Sequence, residues 1–204
     1  MKNMSTVIFW GALWGLAEAT LGHLLHIWAL PVGWLIWFPL AFGLMGAVYR
    51  RTKQPLLVFL TAMVASAVKL IDFLMPVRLD YVINPAVSIV LEGLAVSVAY
   101  QLGLLHGANR SVFWQIAAIS FLWRVLYFGY LFLMSEMFLR VSPLRGIQPA
   151  AEFFLLETAA NALLIYGMMK MPVKQRAGVT CPLTPHPALS LGLLTMACWI
   201  QWIW

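Results

Sequence analysis

Five charged residues interrupt long apolar stretches of this chain, and they are the residues best placed to do chemistry: Glu18, Lys69, Glu92, Arg124 and Glu157. A charge at the centre of a membrane helix costs roughly 2.5–3.5 kcal/mol on insertion scales. Such a residue therefore usually faces a protein interior or a water-filled cavity. The chemistry open to these side chains is ion pairing, recognition of a polar ligand, or protonation.

The composition indicates the medium in which these charges lie. Of the 204 residues, 63% are hydrophobic and 10% are charged, and the mean hydropathy is +0.88. A soluble domain carries about 25% charged residues, so we expect an integral membrane protein. The formal net charge of +6 does not indicate nucleic-acid binding, because the basic residues lie mainly in short segments between apolar runs. Cys181 and Cys198 provide neither a disulfide framework nor a metal site.

Six apolar segments are suitable for crossing a membrane, which takes about 20 apolar residues per helix. They are residues 5–28, 33–49, 56–75, 86–105, 112–134 and 151–169. Asn84-Pro85 is expected to start the fourth, because proline favours a first helical turn. We therefore predict an all-α integral membrane protein in which residues 1–170 form a compact bundle of six transmembrane helices. Residues 171–204 are interpreted as a proline-containing linker and an apolar tail to which we assign no function, with a short seventh helix left open.

The basic residues predict the orientation of the bundle. A cytoplasmic N-terminus places eight of them inside: Lys2, Arg50, Arg51, Lys53, Arg110, Lys170, Lys174 and Arg176. Only Arg78, Arg140 and Arg145 then lie outside, which satisfies the positive-inside rule. We expect a multi-pass protein of a bacterial inner (plasma) membrane. In this orientation almost every ionisable group at membrane depth lies at or outside the midplane, which predicts a polar cavity that opens to the outside.

Helical spacing suggests how these charges pair. Lys69 and Asp72 are three residues apart and can pair on their own helix. If Arg124 takes one glutamate, two of the three glutamates Glu18, Glu92 and Glu157 remain. A surplus buried carboxylate is either protonated or compensated by a cation, so the surplus favours a cationic or hydrogen-bond-rich ligand. The candidate ligand-binding residues are Glu18, His26, Lys69, Asp72, Glu92, Arg124, Glu157 and Trp14.

The tryptophans divide into two groups by depth. Trp28, Trp34 and Trp37 are expected to form an aromatic belt at the outer interface. Trp10, Trp14 and Trp123 lie deeper, where they either stack on a ligand or pack between helices.

Several of these features also have purely structural interpretations. The charged pairs can be salt bridges that only fix helix packing. His23 and His26 lie near a helix end, where histidines are common, so we expect no metal site and no cofactor. Gly11, Gly15 and Ala19 are spaced by four on the first helix and allow another helix to approach closely. That second helix belongs either to this chain or to a separate protein.

Residues 5–170 resemble S-component-like membrane proteins, the substrate-binding subunits of energy-coupling factor transporters. The similar motifs are Trp14-Gly15-Leu16-Ala17-Glu18-Ala19-Thr20-Leu21-Gly22-His23-Leu24-Leu25-His26, Asn84-Pro85 and Glu92-Gly93-Leu94. The resemblance implies a non-enzymatic subunit that captures a vitamin or a metal and docks through its first helix onto a membrane coupling protein served by two ATPases. The docking face would be Gly11, Gly15 and Ala19, which departs from the family's usual alanine-xxx-alanine motif.

Three functions are weighed on these observations. The first is a small-molecule-binding subunit of a membrane importer, whose partners are its ligand, membrane lipid, a coupling subunit and ATPases. The ATPases must be separate chains, since no glycine-rich phosphate loop with lysine occurs here. The second is a structural or assembly membrane protein whose buried charges are packing salt bridges. The third, a membrane-embedded enzyme using Glu18 with His23 or His26, is disfavoured because neither a serine elbow nor an H-E-x-x-H helix occurs.

Overall fold

The structure is a computed structural model that describes residues 2–27, 33–105, 110–134, 142–171 and 185–203, and the regular elements in these ranges are all helical. The long helices are α1 (Lys2–Ile27), α2 (Gly33–Thr52), α3 (Pro55–Lys69), α4 (Leu79–Gln101), α5 (Arg110–Leu133), α6 (Ile147–Lys170) and α7 (Pro187–Ile203). A 3₁₀ turn, Leu70–Leu74, extends α3, and a short one, Ser142–Leu144, precedes α6. Inside α6, residues Glu152–Leu156 form a π-helical turn.

Five of the described helices are long and apolar enough to cross a membrane, namely α1, α3 with its 3₁₀ extension, α4, α5 and α6. Each supplies at least 20 residues, and 20 residues at 1.5 Å per residue match the roughly 30 Å hydrocarbon core of a bilayer. The sixth long helix, α2, has 20 residues and ends in Arg50 and Arg51. The chain is therefore a multi-pass helical membrane protein with five or six long apolar helices, as its composition predicts.

Successive helices from α1 to α6 run in opposite directions, as ring contacts and hydrogen bonds between helices show. Arg51 at the end of α2 lies over the Trp10 ring in the first half of α1, and Phe113 early in α5 packs on Tyr166 late in α6. Ser66 Oγ, late in α3, donates to the carbonyl of Ala86 at 3.0 Å, and Ser97 Oγ, late in α4, donates to that of Pro55 at 2.9 Å. Tyr130, near the end of α5, likewise donates to Asn84 Oδ1 in α4 at 3.0 Å. We call the end of the bundle at which α2, α4 and α6 begin the distal end, and the opposite end the proximal end.

The fourth helix begins at Leu79, so the prediction that Asn84-Pro85 starts it was wrong. Arg78 and Asp80 form a two-pronged pair there, with nitrogen–oxygen distances of 3.1 and 2.7 Å. Asp80 lies in the first turn, where a negative charge interacts favourably with the helix dipole. Pro85 is inside the helix, a position that membrane helices tolerate.

The small-residue ladder on α1 packs against α3. A Cβ atom added to Gly11 would lie 2.6 Å from Val64 Cβ, and one added to Gly15 would lie 2.8 Å from Val68 Cβ. Ala19 is buried as well, at 4% exposure. The ladder therefore serves helix packing within the chain. The expectation that this face docks a separate protein is corrected, because α3 already occupies it.

The C-terminal helix α7 is part of the bundle and packs along α1. Near its start, Ser190 Oγ donates a 2.8 Å hydrogen bond to the carbonyl of Ser5. Near its end, Gln201 Nε2 donates to Asp72 Oδ1 beyond α3. The helix thus runs from the proximal to the distal end, parallel to α1. The tail after residue 171, to which the sequence assigned no role, contributes a packed helix; residues 172–184 lie outside the described part of the chain.

Replacing Ser190 by alanine is expected to lower the stability of the protein by about 0.5–1.5 kcal/mol, because it removes a buried hydrogen bond between two helices. Thermal unfolding in detergent measures the loss. The control is Thr195→Ala, which removes an exposed hydroxyl from the same helix that bonds only within its own turn, to the Gly192 carbonyl. Equal midpoints for the two variants would contradict the packing of α7 on α1.

Candidate functional site

A cavity of about 280 Å³ lies at the distal end, between α2, α4, α5 and the beginning of α6. Its aromatic walls are Trp34, Trp37, Phe38, Trp123, Tyr127 and Phe153. Its polar lining consists of Ser88, Glu92, Arg124, Glu152 and Glu157, with Pro143 and Pro149 at the α6 side. Three of these helices, α4, α5 and α6, thus bring three acidic side chains and one guanidinium to a single aromatic-walled space.

The wall formed by α6 depends on an irregular backbone. Gly146, just before the helix, has φ 148° and ψ −179°, a conformation essentially restricted to glycine. The π-helical turn Glu152–Leu156 follows, and such turns occur frequently at functional sites. Its first residue, Glu152, accepts a 3.0 Å hydrogen bond from Gln148 Nε2. These features orient Glu152, Phe153 and Glu157 toward the cavity that they line.

Arg124 is fully buried and contacts a backbone carbonyl, a carboxylate and two aromatic rings. One terminal nitrogen donates to the carbonyl of Ser120 at 3.0 Å, and the other lies 3.5 Å from Glu157 Oε2. The guanidinium carbon lies 4.6 Å from the ring centre of Trp123 and 5.5 Å from that of Phe153. The residue that pairs with Arg124, which the sequence left open, is therefore Glu157.

Glu92 is the most buried carboxylate of the cavity, with 5% exposure. Ser88, one turn earlier on α4, donates a 3.1 Å hydrogen bond to its Oε1. Its interaction with Arg124 is attractive, whereas Glu18 on α1 repels it. Glu92 thus has no dedicated cationic partner among the described residues, because Arg124 is already engaged by Glu157.

Six charged side chains, two of them buried and four half-buried, are linked by successive electrostatic interactions, and we call them the row of charges. At one end Lys69 Nζ lies 2.8 Å from Asp72 Oδ2, which confirms the predicted pair. Lys69 also attracts Glu18, and Glu18 in turn repels Glu92. In order, the row is Asp72, Lys69, Glu18, Glu92, Arg124 and Glu157. It contains four carboxylates and two cations, and the two neighbouring carboxylates at its centre have no cation between them within the described part of the chain.

Several buried polar atoms beside Arg124 make no hydrogen bond within the described residues. On α5 they are Ser120 Oγ, Trp123 Nε1 and Arg124 Nε; on α6 they are Thr158 Oγ1 and both amide atoms of Asn161. Leaving a buried donor or acceptor unsatisfied costs about 1–3 kcal/mol, and such atoms are rare in native proteins. Two of these residues, Trp123 and Arg124, line the cavity, so the cavity wall itself carries buried polar atoms without a hydrogen-bond partner among the described residues.

The structure divides the candidate ligand-binding residues into two groups. Glu92, Arg124 and Glu157 line the cavity. Glu18, Lys69 and Asp72 belong to the same row of charges but lie outside the lining, and Trp14 is fully buried beside Glu18. The side chains of His23 and His26 lie outside the described part of the molecule. Within that part, no group of three or more His, Cys, Asp or Glu side chains is placed to hold a metal ion.

The sequence did not single out Phe38 and Phe153, and it assigned Trp34 and Trp37 to an interfacial belt rather than to a cavity wall. All four line the cavity. Aromatic residues are abundant along the whole chain, at 14%, so their type carries little positional signal. The nearest signal is spacing, since Phe153 lies four residues before Glu157 and shares its helix face.

Comparison of the chain with protein-family models, with curated proteins and with solved structures finds no match. The assignment of function therefore rests on the helices, the cavity and the row of charges. Together they define a multi-pass helical membrane protein with an acidic, aromatic-walled cavity at one end.

Proposed function

We propose that this protein is the small-molecule-binding subunit of a membrane importer of the S-component type, and that it captures its ligand in the distal cavity. One observation carries the proposal: Glu92, Arg124 and Glu157, on three different helices, converge on a single cavity. Charged side chains within membrane helices are expensive and generally mark ligand or ion sites. We further propose that the chain has no catalytic activity of its own.

The proposed orientation places the cavity on the outer side of the membrane. Arg50, Arg51, Lys53 and Lys170 lie at the proximal end, where α2 and α6 finish. The positive-inside rule assigns that end to the cytoplasm. A cavity at the opposite end is then accessible from outside, as capture for import requires, in the plasma membrane of a bacterium.

Energy for import would come from a membrane coupling subunit and ATPases, because this chain has no phosphate-binding loop of its own. The small-residue ladder of α1 is covered by α3. The coupling subunit would therefore contact a different surface from the one that the resemblance implies.

Glu92→Gln is expected to reduce the amount of bound ligand at least tenfold while the protein stays folded. The reason is that a hydrogen bond to a charged group contributes about 1.5–3 kcal/mol, and 1.4 kcal/mol is a factor of ten in affinity. Native mass spectrometry of protein extracted gently from its own host measures occupancy and identifies the ligand. Co-purifying membrane and ATPase subunits would support the transport role.

The matched control is Asp80→Asn, which neutralises a half-buried carboxylate of the same helix, outside the cavity. Its ligand occupancy should equal that of the unmodified protein. A chain that carries neither a ligand nor a partner, or equal occupancy in both variants, would refute the proposed site.

The second candidate is a structural or assembly membrane protein. It is favoured by the pairs Lys69–Asp72 and Arg124–Glu157, which link charges within the chain at 2.8 and 3.5 Å. These pairs account for four of the six charges in the row. They leave Glu18 and Glu92 without a salt bridge, and the binding function gives Glu92 a role because this residue lines the cavity.

A further inference from the structure

We infer that the ligand of the distal cavity is a small organic cation, an ammonium compound or a positively charged heteroaromatic ring. This inference rests on the proposed binding function and adds the class of ligand to it. It depends on the charge of the lining, on the nature of the walls and on the size of the cavity.

The charge of the lining is the first argument. Glu92, Glu152 and Glu157 face one guanidinium, that of Arg124. Arg124 is engaged by Glu157 and by the Ser120 carbonyl, so little of its charge is available to attract an anion. Glu92 has only the Ser88 hydroxyl as a hydrogen-bond donor among the described residues and is repelled by Glu18. A positively charged ligand beside Glu92 would supply the positive charge that is missing between Glu18 and Glu92 at the centre of the row.

The walls supply the second argument, because aromatic faces attract cations within about 6 Å of the ring centre. Two rings of this cavity already contact a cation within that distance: the Arg124 guanidinium lies 4.6 Å from the centre of the Trp123 ring and 5.5 Å from that of the Phe153 ring. Trp34, Trp37 and Tyr127 line the same space. Aromatic cages with a nearby carboxylate are the usual means of binding quaternary and methylated ammonium groups.

The size of the cavity and the chemistry of the groups that line it exclude other positively charged ligands. The volume of about 280 Å³ is just below the roughly 300–1,000 Å³ of pockets for drug-sized molecules, so it suits a compact organic ion. A metal cation of the calcium type would need about six to eight oxygen ligands. The cavity instead offers mostly aromatic rings, and the described residues contain no metal-ligand cluster.

The test measures binding of matched probes to the full chain in detergent, by isothermal titration calorimetry. Choline, tetramethylammonium and N-methylpyridinium are the cations; 3,3-dimethylbutanol is the uncharged isostere of choline, and acetate is the anion. We expect at least one cation to bind saturably and the isostere to bind at least tenfold more weakly than choline. Glu92→Gln and Trp37→Leu should each weaken cation binding at least tenfold.

Two control variants test whether the loss of cation binding is specific to the cavity. Asp80→Asn removes a half-buried carboxylate outside the lining, and Trp114→Leu removes a tryptophan that is 72% exposed and also outside the lining. Neither should change cation affinity by more than about twofold. Equal binding of the isostere, preference for acetate, or no binding by any of the three cations would overturn the inference.

The inference and the proposed function fail in different ways. If native mass spectrometry finds a neutral or anionic ligand that is lost in Glu92→Gln, the binding function stands and the organic-cation inference is wrong. If it finds no ligand and no probe binds, both are wrong.

Discussion

Arg124→Met should destabilise the protein by about 3 kcal/mol, the largest effect expected from any single change in the cavity. Removing one member of a buried ion pair costs about 3–5 kcal/mol, because the other charge is left uncompensated. The lower value applies here, because the Glu157 side chain is 21% exposed. The substitution also removes the hydrogen bond to the Ser120 carbonyl and the contacts with two aromatic rings. Thermal unfolding in detergent measures the change.

The double variant Arg124→Met with Glu157→Leu separates the two candidate functions. Replacing both members of a buried pair by apolar residues is often neutral for stability, so most of the lost stability should return. Ligand binding should not return, because the cavity then lacks two of its four charged groups. A double variant with full cellular function would favour the structural role and refute the binding role.

The matched control for this pair is Arg78→Met. Arg78 also pairs with a carboxylate, that of Asp80 at 2.7 Å, but its side chain is 62% exposed. Exposed pairs contribute about 0–1 kcal/mol, so the loss of stability should stay within that range. A loss as large as that of Arg124→Met would show that burial is not the reason for the effect.

Gly93→Ala should cost about 3 kcal/mol and should also reduce ligand binding. A Cβ atom at position 93 would overlap the Cβ of Ala62 on α3, and neither atom is the end of a flexible side chain. The helices must therefore separate, and overpacking of this kind costs about 1–3 kcal/mol or more. Separation would displace Glu92, the neighbouring residue in the cavity lining. Thermal unfolding and ligand occupancy measure the two effects.

Gly167→Ala provides the control, since a Cβ atom there would meet nothing within 4 Å. Alanine within a helix is more stable than glycine by about 0.5–1 kcal/mol, so this variant should be unchanged or slightly more stable. If both glycine variants lost stability equally, close packing of α3 and α4 would not be the cause.

Composition and charge spacing were sufficient to predict the membrane class, the helical fold and the pair Lys69–Asp72. They also selected Glu92, Arg124 and Glu157, because single charges in apolar helices are conspicuous whatever the fold. The start of α4 was predicted wrongly since Asn84-Pro85 has the local properties of a helix start. The pair Arg78–Asp80 forms the first turn instead, and the buried Asn84 bonds to Tyr130 46 residues away.

The remaining features depend on tertiary contacts that spacing cannot specify. Gly11 and Gly15 have the same pattern whether they pack on α3 or on another protein. Glu18 and Glu92 are equivalent in sequence, as single glutamates in apolar runs, yet only Glu92 lines the cavity. The cavity wall also requires a π-helical turn and the unusual backbone of Gly146, neither of which follows from hydrophobic periodicity.

Because α1 and α7 run parallel, the beginning of α1 and the end of α7 lie at opposite ends of the bundle. Ser190 lies beside Ser5, whereas Gln201 lies beside Asp72 at the far side. Any polypeptide joined before α1 would emerge among the basic residues of the proximal end. Any polypeptide joined after α7 would emerge on the same side as the mouth of the cavity. A partner tethered before α1 would therefore lie on the side of the basic residues, and a partner tethered after α7 would lie on the side of the cavity.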